Sequence, residues 1–220
     1  MQERRRKDRK QSKAPTGDLV KVPVQYWQEL KERDLERLCE HALARAHPPE
    51  GLVLSFLGEG ILVDTRAQCL KRPNQGRWEK VGYPLMELIF LVYLLNVGAE
   101  SPTHQLVSVQ ELKTSHFFQG PHALDVSGLI ERYGRDLKGF MRAAESLGGE
   151  IQKLADAAYR IPAFPKVPLY YLLWEGDEEF EPRLSVLFDR SVEKHLSADA
   201  IWGLVHLVSD ALLRAPELPF

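Results

Sequence analysis

The stretch Pro84-Leu-Met-Glu-Leu-Ile-Phe-Leu-Val-Tyr-Leu-Leu-Asn96 decides how the rest of the chain is arranged. It is apolar almost all round, and only Glu87, Tyr93 and Asn96 interrupt the pattern. A helix that is hydrophobic on every side is normally buried at the centre of a core. The sequence therefore predicts a central helix over residues 84–96, against which the other elements pack.

The predicted elements before this helix are another helix and a β-hairpin. Residues 52–57 and 61–63 are short apolar runs, and the glycines of Gly58-Glu59-Gly60 between them permit the positive φ of a tight turn. Ahead of them, a helix is predicted to begin at about Pro23 and to end at His47. It ends there because His47 precedes a proline, and the residue before a proline is pushed out of the helical region. Its apolar stripe is Leu35, Leu38, Cys39, Ala42 and Ala46. Residues 71–76 have strong turn chemistry and are predicted to be a polar loop.

Both helices and strands are predicted after the central helix. Residues 126–133 and 136–147 have helical apolar faces, and residues 169–174 and 184–188 are predicted strands. An extended, polyproline-like approach to the first strand is favoured by Pro162, Pro165 and Pro168. Ser197 is a candidate N-cap for a last helix. The predicted fold class is α+β, with short antiparallel strands or hairpins packed on the central apolar helix and a C-terminal amphipathic helix.

Length and composition suit one folded domain that follows a basic arm. The 220 residues are 44% hydrophobic and 27% charged, which is close to the average of globular proteins. The net charge is −2, but residues 1–13 hold seven Lys or Arg against Glu3 and Asp8. Residues 1–18 lack apolar periodicity, so we expect a mobile basic arm ahead of a single α+β domain over residues 19–220. Such an arm permits nonspecific contact with the phosphates of a nucleic acid.

Several classes of protein are excluded by composition and by the absence of motifs. The longest apolar run, residues 88–95, is far shorter than the roughly 20 residues that cross a bilayer, so we expect no membrane span. Cys39 and Cys69 are the only cysteines, too few for a disulfide framework or a self-contained four-cysteine iron–sulfur cluster. They favour a reducing, cytoplasmic setting. The sequence also lacks a phosphate-binding loop and a nucleophile elbow.

The densest polar feature is Glu175-Gly176-Asp177-Glu178-Glu179-Phe180-Glu181, with five carboxylates directly after an apolar strand. Carboxylates this close repel, so water solvates them separately, a cation or arginine neutralises them, or one of them is protonated. Hard cations such as Mg²⁺ or Ca²⁺ prefer oxygen ligands. Asp189 lies one residue beyond the next strand and approaches the same loop if the two strands pair. The candidate metal ligands are Glu175, Asp177, Glu178, Glu179 and Asp189; the alternative is a solvated acidic turn.

Two histidines are candidates for binding a cofactor. His116 and His122 lie in the aromatic, glycine-containing loop over residues 114–124, where they would ligate haem or a metal. They lack the dense spacing of a metal motif such as HExxH. The alternative is that both are ordinary loop residues.

Four stretches of the chain carry a resemblance to a known family. They are Leu147-Gly148-Gly149, Pro168-Leu-Tyr-Tyr-Leu-Leu-Trp-Glu-Gly-Asp-Glu-Glu-Phe180, Leu187-Phe188-Asp189 and His195-Leu196-Ser197-Ala198-Asp199. From about residue 52 to residue 213 the sequence resembles a domain of unknown function from anaerobic bacteria and archaea. Some members look like fusions to a four-cysteine iron–sulfur domain similar to that of corrinoid iron–sulfur proteins. The resemblance implies a setting in anaerobic metal or corrinoid metabolism.

Three hypotheses for the function follow. The first is a noncatalytic binding or accessory protein of anaerobic metal, iron–sulfur or corrinoid metabolism, which engages a partner or a cation through the acidic loop. Its partner would be a protein, such as an iron–sulfur or corrinoid protein. The second is a divalent-metal-dependent enzyme that uses the same carboxylates. The third is a nucleic-acid-associated factor that uses the basic arm. The cofactor is left open, with a divalent cation as the candidate.

Overall fold

The computed structural model describes residues 20–215, so the predicted mobile arm over residues 1–18 lies outside the described residues. The helices of this part of the chain are α1 (Val24–Glu32), α2 (Leu35–Ala42), α3 (Pro84–Asn96), α4 (Ser127–Tyr133), α5 (Leu137–Ser146) and α6 (Ala198–Arg214). None of the helices in residues 20–215 has both the length and the apolar character that a membrane crossing requires.

The strands form two antiparallel sheets of five strands each. The first sheet has the order β1-β2-β3-β4-β5 and is made of β1 (Arg45–His47), β2 (Gly51–Phe56), β3 (Glu59–Asp64), β4 (Cys69–Asn74) and β5 (Arg77–Lys80). The second has the order β6-β10-β9-β8-β7 and is made of β6 (Leu106–Val107), β7 (Glu150–Gln152), β8 (Ala157–Phe164), β9 (Val167–Trp174) and β10 (Arg183–Asp189). The predicted α+β class is confirmed.

The helix α3 lies at the centre of the core, as its composition predicts. An aromatic cluster joins it to both sheets: Phe90 of α3 lies 5.3 Å from Phe56 of β2 and 5.1 Å from Phe164 of β8, measured between ring centroids. On another side α3 packs against α6, where a Cβ on Gly203 would come within 2.9 Å of Ile89 Cδ1. The close approach of these two helices therefore depends on a glycine. Because both sheets and α6 bury residues in one apolar cluster, the core is continuous.

The predicted helix from Pro23 to His47 is wrong in its extent. The chain leaves the helical conformation at Arg33, which is extended. The carboxylate of the next residue, Asp34, accepts a hydrogen bond from the Arg37 backbone N–H at 2.9 Å and so begins a second helix, α2. That helix ends at Leu43, which has the left-handed φ of 53°. Ala46, the last residue of the predicted stripe, lies in strand β1.

Two turns of the first sheet also differ from the prediction. The β2–β3 turn is centred on Leu57 and Gly58, with φ of 51° and 79°, one residue before the predicted Gly58-Glu59-Gly60 connection. Residues 71–76 are mostly strand, and Gln75 and Gly76, with φ of 47° and 78°, form the tight turn between β4 and β5. Two consecutive positive φ values match the twist of a two-residue hairpin, which explains why both hairpins turn where they do.

Pro162, Pro165 and Pro168 do not form the predicted polyproline-like approach, since Pro162 lies in β8, Pro165 in the turn and Pro168 in β9. Pro162 lies inside β8, at a shift in register between Ile161 and Phe164, where a missing N–H is tolerated. Its carbonyl accepts the Leu57 backbone N–H at 3.0 Å, which links the two sheets. Residues 157–174 are therefore a β-hairpin that turns at Pro165.

Candidate functional site

The hairpin of β9 and β10 separates two polar regions of the molecule. Its strands pair Trp174 with Arg183 at one end and Leu169 with Phe188 at the other. Five residue steps of strand lie between these pairs, a separation of about 17 Å. The acidic loop, residues 175–181, lies beyond the first end, and a buried polar cluster lies at the second.

Hydrogen bonds hold the base of the acidic loop in place. The backbone N–H of Glu175 donates to Asp156 Oδ2 at 3.0 Å, and that of Gly176 donates to the Gly134 carbonyl at 2.9 Å. Gly176 packs so closely against Pro182 that a Cβ added at position 176 would lie only 2.5 Å from Pro182 Cδ. The loop therefore leaves the sheet along one defined path.

Within the loop, Asp177 folds the turn. Its Oδ1 accepts the backbone N–H of Phe180 at 2.7 Å and that of Glu179 at 2.8 Å. These two donors hold the pKa of the Asp177 carboxyl below its ordinary value. The turn presents Phe180, which is 69% exposed, and Arg135 lies against the same turn. The Asp177 carboxylate is thus already engaged by its own loop.

The other predicted ligands of the loop, Glu175, Glu178 and Glu179, are exposed. Within residues 20–215, no side-chain cation forms an ion pair with them or with Glu181. In the same part of the chain, no group of three or more His, Cys, Asp and Glu side chains is arranged to hold a metal ion. This arrangement gives the metal site no support, and the site stays a prediction.

Asp189 does not approach the acidic loop, contrary to our expectation. The strands pair as expected, but antiparallel pairing brings the end of β10 to the opposite end of the hairpin. There Asp189 is buried, and its Oδ1 accepts hydrogen bonds from the N–H and hydroxyl groups of both Thr103 and Ser191, at 2.6 to 3.0 Å. Its Oδ2 accepts the His104 N–H at 2.6 Å. Burial alone raises the pKa of Asp189, but these donors outweigh it and lower the pKa to about 2.

A cleft of about 480 Å³ opens beside Asp189. Its walls come from three segments, within residues 100–103, 107–113 and 190–194. Asp189 joins the first segment to the third through its hydrogen bonds. The volume is within the range of about 300–1,000 Å³ that is typical of small-molecule sites.

Two further carboxylates fix the backbone of the cleft. Glu193 accepts the N–H groups of Lys113 and Thr114 at 2.9 Å and the Thr114 hydroxyl at 2.8 Å. Burial acts to raise the pKa of Glu193, but these donors lower it overall. Glu111 accepts the N–H and hydroxyl of Ser108, both at 2.8 Å, in a capping box. The walls of the cleft are therefore bound to one another before any ligand arrives.

Four of the six buried polar or charged side chains in residues 20–215 belong to this end of the hairpin: Lys166, Asp189, Ser191 and His195. Lys166 Nζ donates to the Gly98 carbonyl at 2.8 Å. Burial, and then the positive charge of Lys166, lower the pKa of His195. Neither ring nitrogen of His195 has a hydrogen-bond partner among the described residues.

Sequence patterns did not indicate this cleft or its cations, Lys113, Arg190 and Lys194. They come from segments nearly 80 residues apart and form no motif. One local signal was readable, since Ser108-Val-Gln-Glu111 has the spacing of a capping box. This motif predicts the local turn of one wall of the cleft, but it does not predict which other segment that wall contacts.

The two candidate histidines have different surroundings. His122 stacks on Phe117 with ring centroids 4.5 Å apart and meets the edge of Trp202 at 6.1 Å. Trp202 also contacts His206 at 4.2 Å, and burial lowers the pKa of His206. His116 is exposed in the same loop. His122 thus belongs to an aromatic cluster that packs on Trp202 of α6. The binding of a cofactor by His116 and His122 stays a prediction.

The architecture described above defines the chain as an α+β protein with two antiparallel sheets around one buried helix. Residues 34–211 match the family described as Domain of unknown function (DUF3786), which is most of the chain, so the chain belongs to that family. No curated protein and no solved structure matches it. The resemblance to a domain of unknown function is confirmed, whereas the taxonomic range and the fusions stay predictions.

Proposed function

We propose that this chain is a noncatalytic binding module that engages a basic partner protein through the acidic loop. The observation that carries the proposal is the exposure of Phe180 at the tip of a hydrogen-bonded turn. At 69%, it is the most exposed of the large hydrophobic side chains of residues 20–215. Phenylalanine, like tyrosine and tryptophan, is enriched in the buried cores of protein interfaces.

The shape of the loop supports a role in recognition. The Asp177 turn and the hydrogen bonds of Glu175 and Gly176 restrict its backbone before binding. At its base, the guanidinium of Arg183 lies 4.1 Å from the centroid of the Trp174 ring, which closes the neck of the loop. A preformed loop loses less conformational entropy on binding than a mobile one.

The charge around Phe180 indicates the chemistry of the partner. Glu178, Glu179 and Glu181 are exposed and have no ion-pair partner among residues 20–215. Complementary charge increases the rate of encounter and discriminates between partners. The surface that fits this loop is a basic one with an apolar pocket for a phenyl ring.

The family resemblance extends the proposal to a cellular setting. The segment that ends in Phe180 is one of the stretches that carry the resemblance, which implies anaerobic metal, iron–sulfur or corrinoid metabolism. We propose that the basic partner is a protein of that metabolism.

Affinity capture under anaerobic conditions tests this proposal. The full chain is immobilised and exposed to an extract of its source organism, beside Phe180→Ala and a triple variant with glutamine at positions 178, 179 and 181. We expect a protein that binds the wild type and that both variants retain at least about tenfold less, because loss of an interface aromatic costs about 2 kcal/mol or more. Binding should also weaken with added salt.

Matched variants separate recognition from general surface effects. Ile151→Ala removes another exposed hydrophobic side chain, and glutamine at positions 32, 36 and 79 removes three exposed carboxylates elsewhere. Both controls should capture the same protein as the wild type. Capture that is equal for the loop variants and the wild type, or no capture at any salt concentration, would refute the proposal.

A further inference from the structure

The cleft beside Asp189 is a second region built for binding, and it is independent of the acidic loop. Its walls are joined by Asp189 and Glu193, which bind backbone N–H groups on facing segments. Because these carboxylates are engaged by the protein, the walls are held apart at a fixed spacing. A preformed cavity of about 480 Å³ admits a compact organic molecule.

The hydrogen-bonding capacity that remains in the cleft consists mainly of donors. Lys113, Arg190 and Lys194 line it, and within residues 20–215 none of them forms an ion pair with a carboxylate. Glu111 and Glu193 also line it, but their oxygens accept five hydrogen bonds from Ser108, Lys113 and Thr114. Two ammonium groups and one guanidinium thus line a cleft in which three of the four carboxylate oxygens of Glu111 and Glu193 already accept hydrogen bonds from the protein.

Glu100 is the remaining carboxylate of the wall, and it lies folded back toward Gly98. A Cβ added to Gly98 would collide with Glu100 Oε2. Its pKa is lowered first by its own backbone N–H and then by the charges of Lys194, His195 and Lys166. The carboxylate is therefore directed toward its own backbone; it feels the charge of Lys194 but forms no ion pair with it.

The apolar part of the cleft sets the second requirement for a ligand. Val107 and Leu112 contribute to the lining, and both are nearly covered by protein. Apolar surface next to a few fixed polar groups is the usual composition of a small-molecule site. Arg190 adds a planar fork that matches two oxygens of one oxyanion.

We propose that this cleft binds a small organic oxyanion, a phosphate monoester or carboxylate with a compact apolar body. The oxyanion is bound by Arg190 with Lys113 and Lys194, and the apolar body lies against Val107 and Leu112. This site does not depend on the acidic loop, which is at the other end of the β9–β10 hairpin.

Calorimetric titration of the full chain with defined probes tests the proposal. The probes are phenyl phosphate, benzoate, inorganic phosphate and benzyl alcohol, at low ionic strength. We expect at least one of the two aromatic anions to bind, with inorganic phosphate about tenfold weaker and benzyl alcohol without detectable heat. The difference between phenyl phosphate and benzoate identifies the type of oxyanion.

A matched pair of triple variants locates the binding. The first has glutamine at positions 113, 190 and 194, and the second has glutamine at positions 31, 66 and 153, which removes two lysines and one arginine exposed elsewhere. The first should lose binding by at least about tenfold and the second by less than about twofold. Arg190→Lys, which keeps the charge but loses the fork, should fall between them.

Several results would overturn the proposal. These are no binding of either aromatic anion, equal binding of benzyl alcohol, or equal losses in the two triple variants. The last of these would mean that net charge alone attracts the probes. Because all six replaced side chains are exposed, both variants should fold, and far-ultraviolet circular dichroism checks this.

Discussion

Replacement of Asp189 by asparagine should destabilise the protein more than its conservative chemistry suggests. The buried carboxylate accepts five hydrogen bonds, and these lower its pKa from the ordinary 3.8 to about 2. Each tenfold change in proton affinity is worth about 1.36 kcal/mol, so the ionised form contributes about 2.5 kcal/mol to folding at pH 7. An asparagine would also direct an N–H₂ group at one of the backbone donors, which costs about 1–3 kcal/mol. We expect the free energy of unfolding to fall by about 3.5–5.5 kcal/mol, the sum of these two losses.

Urea unfolding followed by tryptophan fluorescence measures this difference. Because the pKa is lower in the folded state than in the unfolded state, the contribution of Asp189 is complete above about pH 4 and is lost as the pH falls toward 2. The gap between the wild type and Asp189→Asn should therefore narrow over that interval. Asp177→Asn is the matched control, since Asp177 also caps backbone N–H groups but is exposed, and it should change the stability by less than about 0.5 kcal/mol. Equal effects of the two substitutions, or a gap independent of pH, would refute the reasoning.

Two further predictions concern the first sheet and the cysteines. Gly51→Ala should lower the free energy of unfolding by about 2–3 kcal/mol, because φ of Gly51 is 153° and an added Cβ would collide with the Val63 carbonyl. Gly76 has a φ of 78° but open space around it, so Gly76→Ala should cost only about 1 kcal/mol in the same urea assay. Burial raises the pKa of the thiols of Cys39 and Cys69, so both should react with iodoacetamide more slowly than free cysteine at neutral pH and at the normal rate in urea, as read by mass spectrometry. Rapid labelling of Cys69 in the native protein would contradict the structure.

The fold was predictable from the sequence where one local pattern was sufficient. Helix α3 and strand β9 are evident because nearly all of their residues are apolar, and β10 because it has an apolar stretch from Leu184 to Phe188 that only Ser185 interrupts. The break between α1 and α2 was not predicted, although Asp is a common helix-capping residue, because the apolar stripe from Leu35 to Ala46 begins after Asp34 and was assigned to the helix that starts at Pro23. Strand β1 exists only through its pairing with β2, so no pattern within its three residues could reveal it.

The candidate sites were predictable to different degrees for the same physical reason. The acidic loop is one contiguous segment, so its composition located it, and only the exposure of Phe180 and the engagement of Asp177 required coordinates. Asp189 is indeed a polar residue at the end of a strand, but the prediction that it approaches the acidic loop was wrong. In an antiparallel hairpin the end of the second strand lies beside the start of the first, far from the loop that connects them. The cleft depends on hydrogen bonds between residues 80 or more positions apart, such as Thr103 with Asp189, and Lys113 with Glu193. The periodicity and spacing of residues within one segment do not indicate such contacts.

The β9–β10 hairpin gives a physical reason to treat the two proposed binding regions as separable. Seven of the eight residues of β9 are buried, and β9 is paired on both sides, so the strand is a rigid spacer between its ends. Sites separated by about 17 Å, with no shared hydrogen-bond partner, generally contribute independently to stability and binding. A partner protein on the acidic loop would therefore leave the cleft open to a small anion, and a variant that abolishes one interaction should leave the other unchanged. If binding at one end nevertheless altered binding at the other, the hairpin would have to move as a unit against the core.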